Sequence, residues 1–166
     1  KFDGHHFLKE VMGKDAAAAV VLRQRLPLIF DGALIAVEDT RAALARFAAE
    51  YRRDFKLPVV ALGGSNGKTT TKEIIASVLR QKHSTLWSEA SFNNDIGVPL
   101  TLLRLESHHE AAVFDVGTNH PGELAPLVAL IQPELGVTPG SGRAHLAFLG
   151  DLDGVEEEED WRAVML

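Results

Sequence analysis

A glycine-rich run between a buried strand and a helix constrains this fold more than any other feature. The run reads Gly63-Gly64-Ser65-Asn66-Gly67-Lys68-Thr69-Thr70. Apolar residues 58–62 before it predict a strand, and the spacing of apolar residues 74–79 after it predicts a helix. Glycines let backbone N–H groups turn toward an anion, and a helix N-terminus adds partial positive charge. The run therefore predicts a phosphate cradle.

The cradle has the residues that a nucleotide site needs. Lys68 is placed to reach terminal phosphates, and the hydroxyl of Thr69 to hold Mg²⁺. The pattern GxxxxGK[ST] expects its first glycine at position 62, where this chain has Leu62. The run is therefore a variant, with its early glycines at Gly63 and Gly64. A turn that binds nothing is the alternative, and the strand–loop–helix context favours nucleotide binding over it.

Composition excludes several classes of protein. The chain has 166 residues, 46% of them hydrophobic and 24% charged, which is ordinary for a globular protein. A net charge of −6 argues against nucleic-acid binding, which needs a basic patch. The absence of cysteine fits a cytoplasmic location, and the apolar stretch at residues 16–22 is too short to span a bilayer. Because the chain begins with Lys1, we expect a piece of a longer protein.

The part before the glycine-rich run predicts a small β-rich unit followed by a helix. Residues 7–11 predict a short helix, and three strands are predicted at residues 17–22, 26–30 and 34–37. Asp39 or Thr40 is expected to cap the next helix. The predicted apolar stripe of that helix consists of Ala43, Leu44, Phe47, Ala48 and Tyr51. We expect a domain boundary at residues 37–39.

From the glycine-rich run onward, strand and helix signals alternate. Helices are predicted at residues 70–81, 97–105 and 121–131, and strands at residues 84–87, 111–116 and 135–138. Such alternation predicts an α/β fold, with a parallel sheet and helices on both of its faces. Ligands bind such sheets at the carboxyl ends of the strands. The loops after residues 62, 116 and 138 should therefore open onto one ligand-binding edge.

Polar residues near that edge are candidates for the site. Asp115 stands near a strand end, where its carboxylate could hold Mg²⁺ or cap the next turn. His145 follows the last strand, where a histidine could be a ligand, structural or merely exposed. Asn93 and Asn94 are turn formers that could also orient a substrate. The acidic run at residues 156–160 is most simply a solvated face.

Three segments in this order resemble the Mur ligases. Residues 64–73, reading GSNGKTTTKE, are similar to the ATP-binding loop of that family. Residues 93–103 and 117–123, reading NNDIGVPLTLL and GTNHPGE, narrow the resemblance to the branch that uses D-alanyl-D-alanine. Residues 2–7, reading FDGHHF, resemble the end of the family's N-terminal substrate domain.

The resemblance implies a domain plan and an activity. Residues 1–38 would be the remainder of a small α/β substrate-binding domain, and residues 39–166 an incomplete central ATP-binding domain. The implied enzyme is an ATP- and Mg²⁺-dependent amide ligase of cytoplasmic peptidoglycan synthesis. Its small-molecule substrates would be UDP-N-acetylmuramoyl-tripeptide and D-alanyl-D-alanine, activated through an acyl phosphate.

The resemblance also implies roles for particular residues. Lys68, Asp115 and His145 are the implied catalytic residues, and Thr69, Asp115 and His145 the implied metal ligands. The implied nucleotide-binding residues are Gly64, Ser65, Asn66, Gly67, Lys68, Thr69, Thr70 and Asn119. Asn93 and Asn94 are implied to contact the substrate.

The chain departs from the family on the far side of this site. The family usually has glutamate at the positions of Asp115 and Ala147, and a further lysine that is absent after Lys82. These departures leave open whether a second metal site forms. Two alternatives therefore stay open: a degenerate nucleotide-binding module without catalysis, and a ligase similar to folylpolyglutamate synthetases. Without the family's closing third domain, the 166 residues alone are predicted to show no turnover.

Overall fold

The computed structural model describes residues 3–27, 29–64, 66–90, 92–117 and 122–139. These residues fall into two compact units, divided between Leu44 and Ala45. The division lies inside a helix, so the domain boundary predicted at residues 37–39 stays a prediction. The predicted site residues Ser65, Asn119 and His145 lie outside the described residues.

The first unit contains a short helix and a pair of parallel strands. A turn of 3-10 helix at Gly4–Phe7 leads into α1 (Leu8–Met12), and β1 (Ala18–Leu22) pairs in parallel with β2 (Ala33–Val37). The helix and these strands were predicted from the sequence. Val21 of β1 is almost fully buried, which fits its place in a small apolar core.

The strand predicted at residues 26–30 is wrong. A turn of 3-10 helix at Arg23–Arg25 follows β1, and the described residues after it have no regular structure. Pro27 has no N–H to donate to a strand ladder, and the apolar side chains of Leu26 and Ile29 are exposed. An apolar run interrupted by proline therefore gave a false strand signal.

The second unit is built on a parallel sheet. Its strands are β3 (Val59–Leu62), β4 (Thr85–Trp87), β5 (Ala111–Asp115) and β6 (Leu135–Val137), in the order β4-β5-β3-β6. The helices are α2 (Thr40–Arg52), α3 (Lys68–Leu79), α4 (Gly97–Leu102) and α5 (Leu124–Ile131). Each pairing among these strands is parallel, which confirms the predicted α/β architecture.

Alternate residues of β3 face two separate apolar cores. Val59 and Ala61 pack in one core with side chains of α4 and α5, such as Leu102 and Ile131. Leu62 packs on the opposite side, with Ala76 of α3 and Val113 of β5. Helices therefore cover both faces of the sheet, as predicted. Each fully buried leucine or isoleucine in these cores contributes about 1.5–3 kcal/mol.

The helix bounds differ from the predicted ones by a few residues. α3 begins at Lys68 rather than residue 70, directly after Gly67 in the left-handed region. α4 ends at Leu102 rather than residue 105, and α5 begins at Leu124 rather than residue 121. None of the helices in the described ranges has the length and apolar character needed to cross a membrane.

The predicted cap of α2 is confirmed, but its apolar stripe is narrower than expected. The Asp39 carboxylate accepts the N–H groups of Arg41 and Ala42, at 2.7 and 3.1 Å. Ala48 is fully buried, whereas Phe47 is 63% exposed and lies outside the stripe. The helix packs against the core through Ala45, Ala48, Ala49 and Tyr51.

Candidate functional site

The glycine-rich run forms a turn between β3 and α3, at the carboxyl end of the sheet. Gly64 and Gly67 both have positive φ, 107° and 80°, which side-chain-bearing residues rarely adopt. The N–H of Gly63 donates to the carbonyl of Val137 in β6, at 3.0 Å. Leu62 is still part of β3 and fully buried, which explains why this position does not need a glycine. The loop is thus one residue shorter at its start than the strict pattern.

The first turn of α3 presents its polar groups at the mouth of this loop. Lys68 is the first residue of the helix, and its Nζ donates to the carbonyl of Gly64, so the side chain folds back over the loop. Thr69 and Thr70 are exposed. The leading N–H groups of a helix have no partner within it and carry the positive end of its dipole. Together these groups can bind a phosphate.

Asp115 lies beside the loop because of the strand register. Leu62 of β3 and Asp115 of β5 are paired residues in the parallel sheet, and each ends its strand. The side chain of Asp115 is fully buried. Its Oδ1 accepts the hydroxyl of Ser88 at 2.5 Å, and the backbone N–H of Asp115 donates to Ser88 Oγ at 3.1 Å. The carboxylate is therefore held rigidly at the edge of the sheet.

The second oxygen of Asp115 matters most for ligand binding. Oδ2 is buried, and no group among the described residues donates a hydrogen bond to it. The N–H groups of Val116 and Gly117 donate to the carbonyls of Leu62 and Asn93, so the carboxylate caps neither of these two residues. A buried, unpaired carboxylate oxygen is costly, and a cation would satisfy it. Asp115 therefore fits the role of a Mg²⁺ ligand.

Lys72 is a residue of this site to which the sequence assigned no role. It is fully buried, one helical turn beyond Lys68 on the same face of α3. Its Nζ donates to the carbonyl of Ala90 at 3.0 Å and lies 3.7 Å from Asp115 Oδ1. Lys68, Lys72 and Ala76 are spaced four residues apart and so lie on one face of the helix. This spacing was the sequence signal that could have placed Lys72 on the buried face with Ala76.

The asparagine pair lies in the loop between β4 and α4, where both residues shape the backbone. Asn94 Oδ1 accepts the N–H groups of Ile96 and Gly97, at 3.1 and 2.9 Å, and so caps the start of α4. The carbonyl of Asn93 accepts the N–H of Gly117 at 2.8 Å. A Cβ on Gly117 would lie 2.6 Å from Asn93 Nδ2, so a larger residue there would displace the Asn93 side chain. Their substrate contacts stay a prediction.

The structure brings together some of the predicted site residues. Lys68, Thr69, Asp115 and Asn93 belong to the loops and strand ends of one sheet edge. Within the described ranges there is no group of three or more His, Asp or Glu side chains that could hold a metal. Among the described residues, the Asp115 carboxylate and the Thr69 hydroxyl could hold a cation at this edge together with phosphate oxygens.

Residues 62–159 match the family of the Mur ligase middle domain. The chain is similar to UDP-N-acetylmuramoyl-tripeptide–D-alanyl-D-alanine ligase of Escherichia coli K12, with 43% identity over 155 residues, or 93% of this chain and 34% of that protein. The ligase of the same name from Bacillus subtilis 168 is 35% identical over 157 residues, or 95% of this chain and 34% of that protein.

Solved structures show the same similarity. MurF from Acinetobacter baumannii superposes with a TM-score of 0.88 and 38% identity, over 95% of this chain and 34% of that chain. MurF ligase from Thermotoga maritima in complex with ADP gives a TM-score of 0.84 and 32% identity, over 95% of this chain and 36% of that chain. The chain spans about a third of the length of the relatives it matches.

Proposed function

The chain belongs to the Mur ligase family, and on that premise we propose that it forms the ATP-binding part of a D-alanyl-D-alanine-adding ligase. The acceptor would be UDP-N-acetylmuramoyl-tripeptide, and the product an amide in peptidoglycan synthesis. The observation that carries the proposal is the register of Leu62 with Asp115, which sets a buried carboxylate beside the phosphate loop. The names of the relatives support the choice of substrates.

The reaction needs activation because a carboxylate is a poor electrophile. Attack of the peptide carboxylate on the γ-phosphorus of ATP gives an acyl phosphate and ADP. The amine of D-alanyl-D-alanine then attacks the acyl carbon, phosphate leaves with its bonding electrons, and the amine loses a proton as the amide forms. Phosphoryl transfer depends on positioning and charge neutralisation more than on covalent help from the protein.

The residues of this chain would supply both the positioning and the charge neutralisation that phosphoryl transfer needs. The Lys68 ammonium would leave the carbonyl of Gly64 and bind the β- and γ-phosphates, while the backbone of Gly64–Thr70 encloses them. Thr69 and Asp115 would hold Mg²⁺, which when bound neutralises charge on the phosphates. His145 and Asn119 complete the proposed set as a metal ligand and a nucleotide contact. Asn93 and Asn94 would orient the peptide substrate.

We propose a cytoplasmic location, since the family's reaction is a cytoplasmic step. We also expect ATP binding without turnover from these 166 residues alone. The chain covers about a third of its relatives, and ligase sites of this kind are completed when a further domain closes over them. Phosphate release that requires both substrates, measured on the 166 residues, would contradict this expectation.

The proposal is tested on the full-length gene product with ATP, UDP-N-acetylmuramoyl-tripeptide and D-alanyl-D-alanine. Mass spectrometry should detect the UDP-linked pentapeptide, and phosphate release should require both substrates. Lys68→Ala should lower kcat/KM by about 10²–10³-fold, because it removes a donor to the transferred phosphate. Lys82→Met, which removes an exposed lysine, is the matched control and should leave the rate unchanged.

Two outcomes would overturn the proposal. The first is ATP binding or hydrolysis by the full-length protein without a pentapeptide product, which would indicate a nucleotide-binding module. The second is an unchanged rate in Lys68→Ala, which would place phosphate binding elsewhere.

A further inference from the structure

Lys72 has no role in the proposed reaction although it is fully buried beside the site. We propose that Lys72 is a positioning residue that holds the loop carrying Asn93 and Asn94 against the helix of the phosphate loop. We call residues 88–90 and 92–95 the Asn loop. The function of this link in catalysis rests on the proposed ligase activity, whereas the link itself does not.

Burial of an ammonium group indicates that its contacts matter. A lysine costs free energy to bury unless its charge is paired and its N–H groups find acceptors. The Nζ of Lys72 meets this condition with Ala90 O at 3.0 Å, Glu73 Oε1 at 3.3 Å and Asp115 Oδ1 at 3.7 Å. These partners come from α3, from the Asn loop and from the end of β5. Lys72 therefore joins the elements that build the site.

The residue that accepts this hydrogen bond has a backbone conformation that needs support. Ala90 has a φ of 46°, in the left-handed region. That conformation is unfavourable for alanine, so surrounding contacts must impose it. The hydrogen bond from Lys72 to the carbonyl of Ala90 is such a contact. Without it we expect the chain near Ala90 to leave this conformation.

Other contacts hold the Asn loop on either side of Ala90. Ser88 is hydrogen-bonded to Asp115, and the carbonyl of Asn93 accepts the N–H of Gly117. Both contacts lead to the end of β5, whereas Lys72 leads to α3. α3 also carries Lys68, so this one helix fixes the distance between Lys68 and the Asn loop. Lys72 thereby couples the two predicted substrate positions.

Hydrogen exchange on the 166-residue chain tests the link without any assay of activity. Lys72→Met keeps the length and apolar stem of the side chain but removes the ammonium group. We expect the amides of Phe92, Gly97 and Gly117, which donate within or to the Asn loop, to exchange at least about tenfold faster. The amide of Gln132, which follows α5 and donates to Val128 O, should change less than about twofold. Lys82→Met should change none of them.

Kinetics on the full-length gene product test the catalytic role. Lys72→Met should raise KM for the UDP-linked tripeptide by about tenfold and lower kcat, while the Kd of Mg-ADP changes less than about threefold. If the parent protein makes no pentapeptide, the proposed ligase function fails and hydrogen exchange still decides the link.

The proposal is overturned if Lys72→Met leaves exchange in the Asn loop unchanged, or speeds exchange equally across the chain. An unchanged KM in an active enzyme overturns the catalytic role. If Lys72→Met does not fold, Lys72→Gln, which keeps an N–H donor on a shorter side chain, is measured instead. A gain in exchange confined to the Asn loop is the expected result for that variant also.

Discussion

The two ends of the parallel sheet both contain a buried cation, and they differ in how completely the groups around that cation are paired. At the amino end, Arg52 donates to the carbonyls of Ile131, Phe55 and Gln132, at 3.0, 2.6 and 3.5 Å. Burial lowers the pKa of Arg52, and the charge of Glu134 acts in the opposite direction. The guanidinium thus closes the end of α5, where carbonyls lack helical partners.

At the carboxyl end, the polar groups are not fully paired. Lys72 and Ser88 both contact Oδ1 of Asp115, whereas Oδ2 is buried without a donor among the described residues. Within the described part of the chain, the amino end therefore satisfies its buried charge, whereas the carboxyl end has one buried acceptor without a donor. This difference supports the proposal that the carboxyl end of the sheet binds the ligand.

The open cavity at the amino end of the sheet does not lie at the proposed site. An open cavity of about 620 Å³ lies at the amino end, lined by residues that include Arg52, Pro58 and Glu134. Two of its charged side chains are already engaged: Glu134 Oε2 accepts the N–H of Val59 at 2.5 Å, and Arg52 donates to carbonyls. The chemistry of the groups is the better guide here.

The largest expected effect is on ligase activity, from a substitution at the carboxyl end of the sheet. Asp115→Asn keeps an acceptor for Ser88 but removes the negative charge available to a cation. We expect ligase activity of the full-length protein to fall about a hundredfold, and the gain in ADP affinity on adding Mg²⁺ to disappear in calorimetry. An unchanged dependence on Mg²⁺ would show that Asp115 is not a metal ligand.

The matching change at the amino end should affect stability alone. Arg52→Met leaves carbonyls at the end of α5 without donors, so we expect a loss of about 2–4 kcal/mol in urea unfolding. The Kd of Mg-ADP should stay the same. Arg53→Met is the control, because its ion pair with Glu50 is exposed and should contribute less than about 1 kcal/mol. A large fall in nucleotide affinity in Arg52→Met would contradict the division between the ends.

A smaller effect tests the backbone strain at the carboxyl end. Ala90→Gly removes the cost of a left-handed alanine, so unfolding free energy should rise by up to about 1 kcal/mol. Gln132→Gly is the counterpart at the amino end, where Gln132 has a φ of 52°. Both variants should gain stability in urea unfolding. A loss in Ala90→Gly would mean that the φ of Ala90 is not a source of strain.

The smallest effect concerns the start of the helix that carries Arg52. The N–H groups of Ala42 and Arg41 donate to Asp39 and hold its pKa below 3.8. The charged form is thus favoured in the folded state, so its contribution is present above the unfolded pKa and is lost as pH falls through the folded pKa.

Thermal melts of the parent and Asp39→Ala measure this contribution. The difference in Tm should be constant from pH 7 to about pH 5 and shrink below about pH 4. Asp54→Ala, at an exposed position after α2, serves as the control. A difference in Tm that grows at low pH would contradict this assignment.

Local pattern was sufficient to predict most of the second unit. The run from Val59 to Leu79 combines a short apolar segment, glycines and helical spacing, and each of these signals is read within a few residues. The same reasoning failed at residues 26–30, where apolar residues around Pro27 do not join a sheet. The prediction that Phe47 belongs to the buried stripe of α2 was wrong for a related reason, because helical spacing does not say how much of an apolar face other residues cover.

The site could be predicted only in part. Lys68 and Thr69 were recognisable because their neighbours define the motif. Lys72 received no role, because a lysine in a helix is usually exposed and its acceptor, Ala90, lies 18 residues further along the chain. Likewise Ser88 and Asp115 are 27 residues apart in sequence. Contacts over such distances depend on strand order, which no local pattern contains.

The sequence by itself determined that this chain has a phosphate loop between a strand and a helix, in an alternating α/β chain of the Mur ligase type. The loop and the alternation follow from residue spacing and from backbone freedom at glycine, whereas the Mur ligase type rests on the resemblance of particular segments. Only the tertiary structure decided which oxygen of Asp115 lacks a donor among the described residues, and that Lys72 lies buried between α3, Ala90 and Asp115. The physical reason is that pairing and burial are properties of atoms brought together from distant parts of the chain.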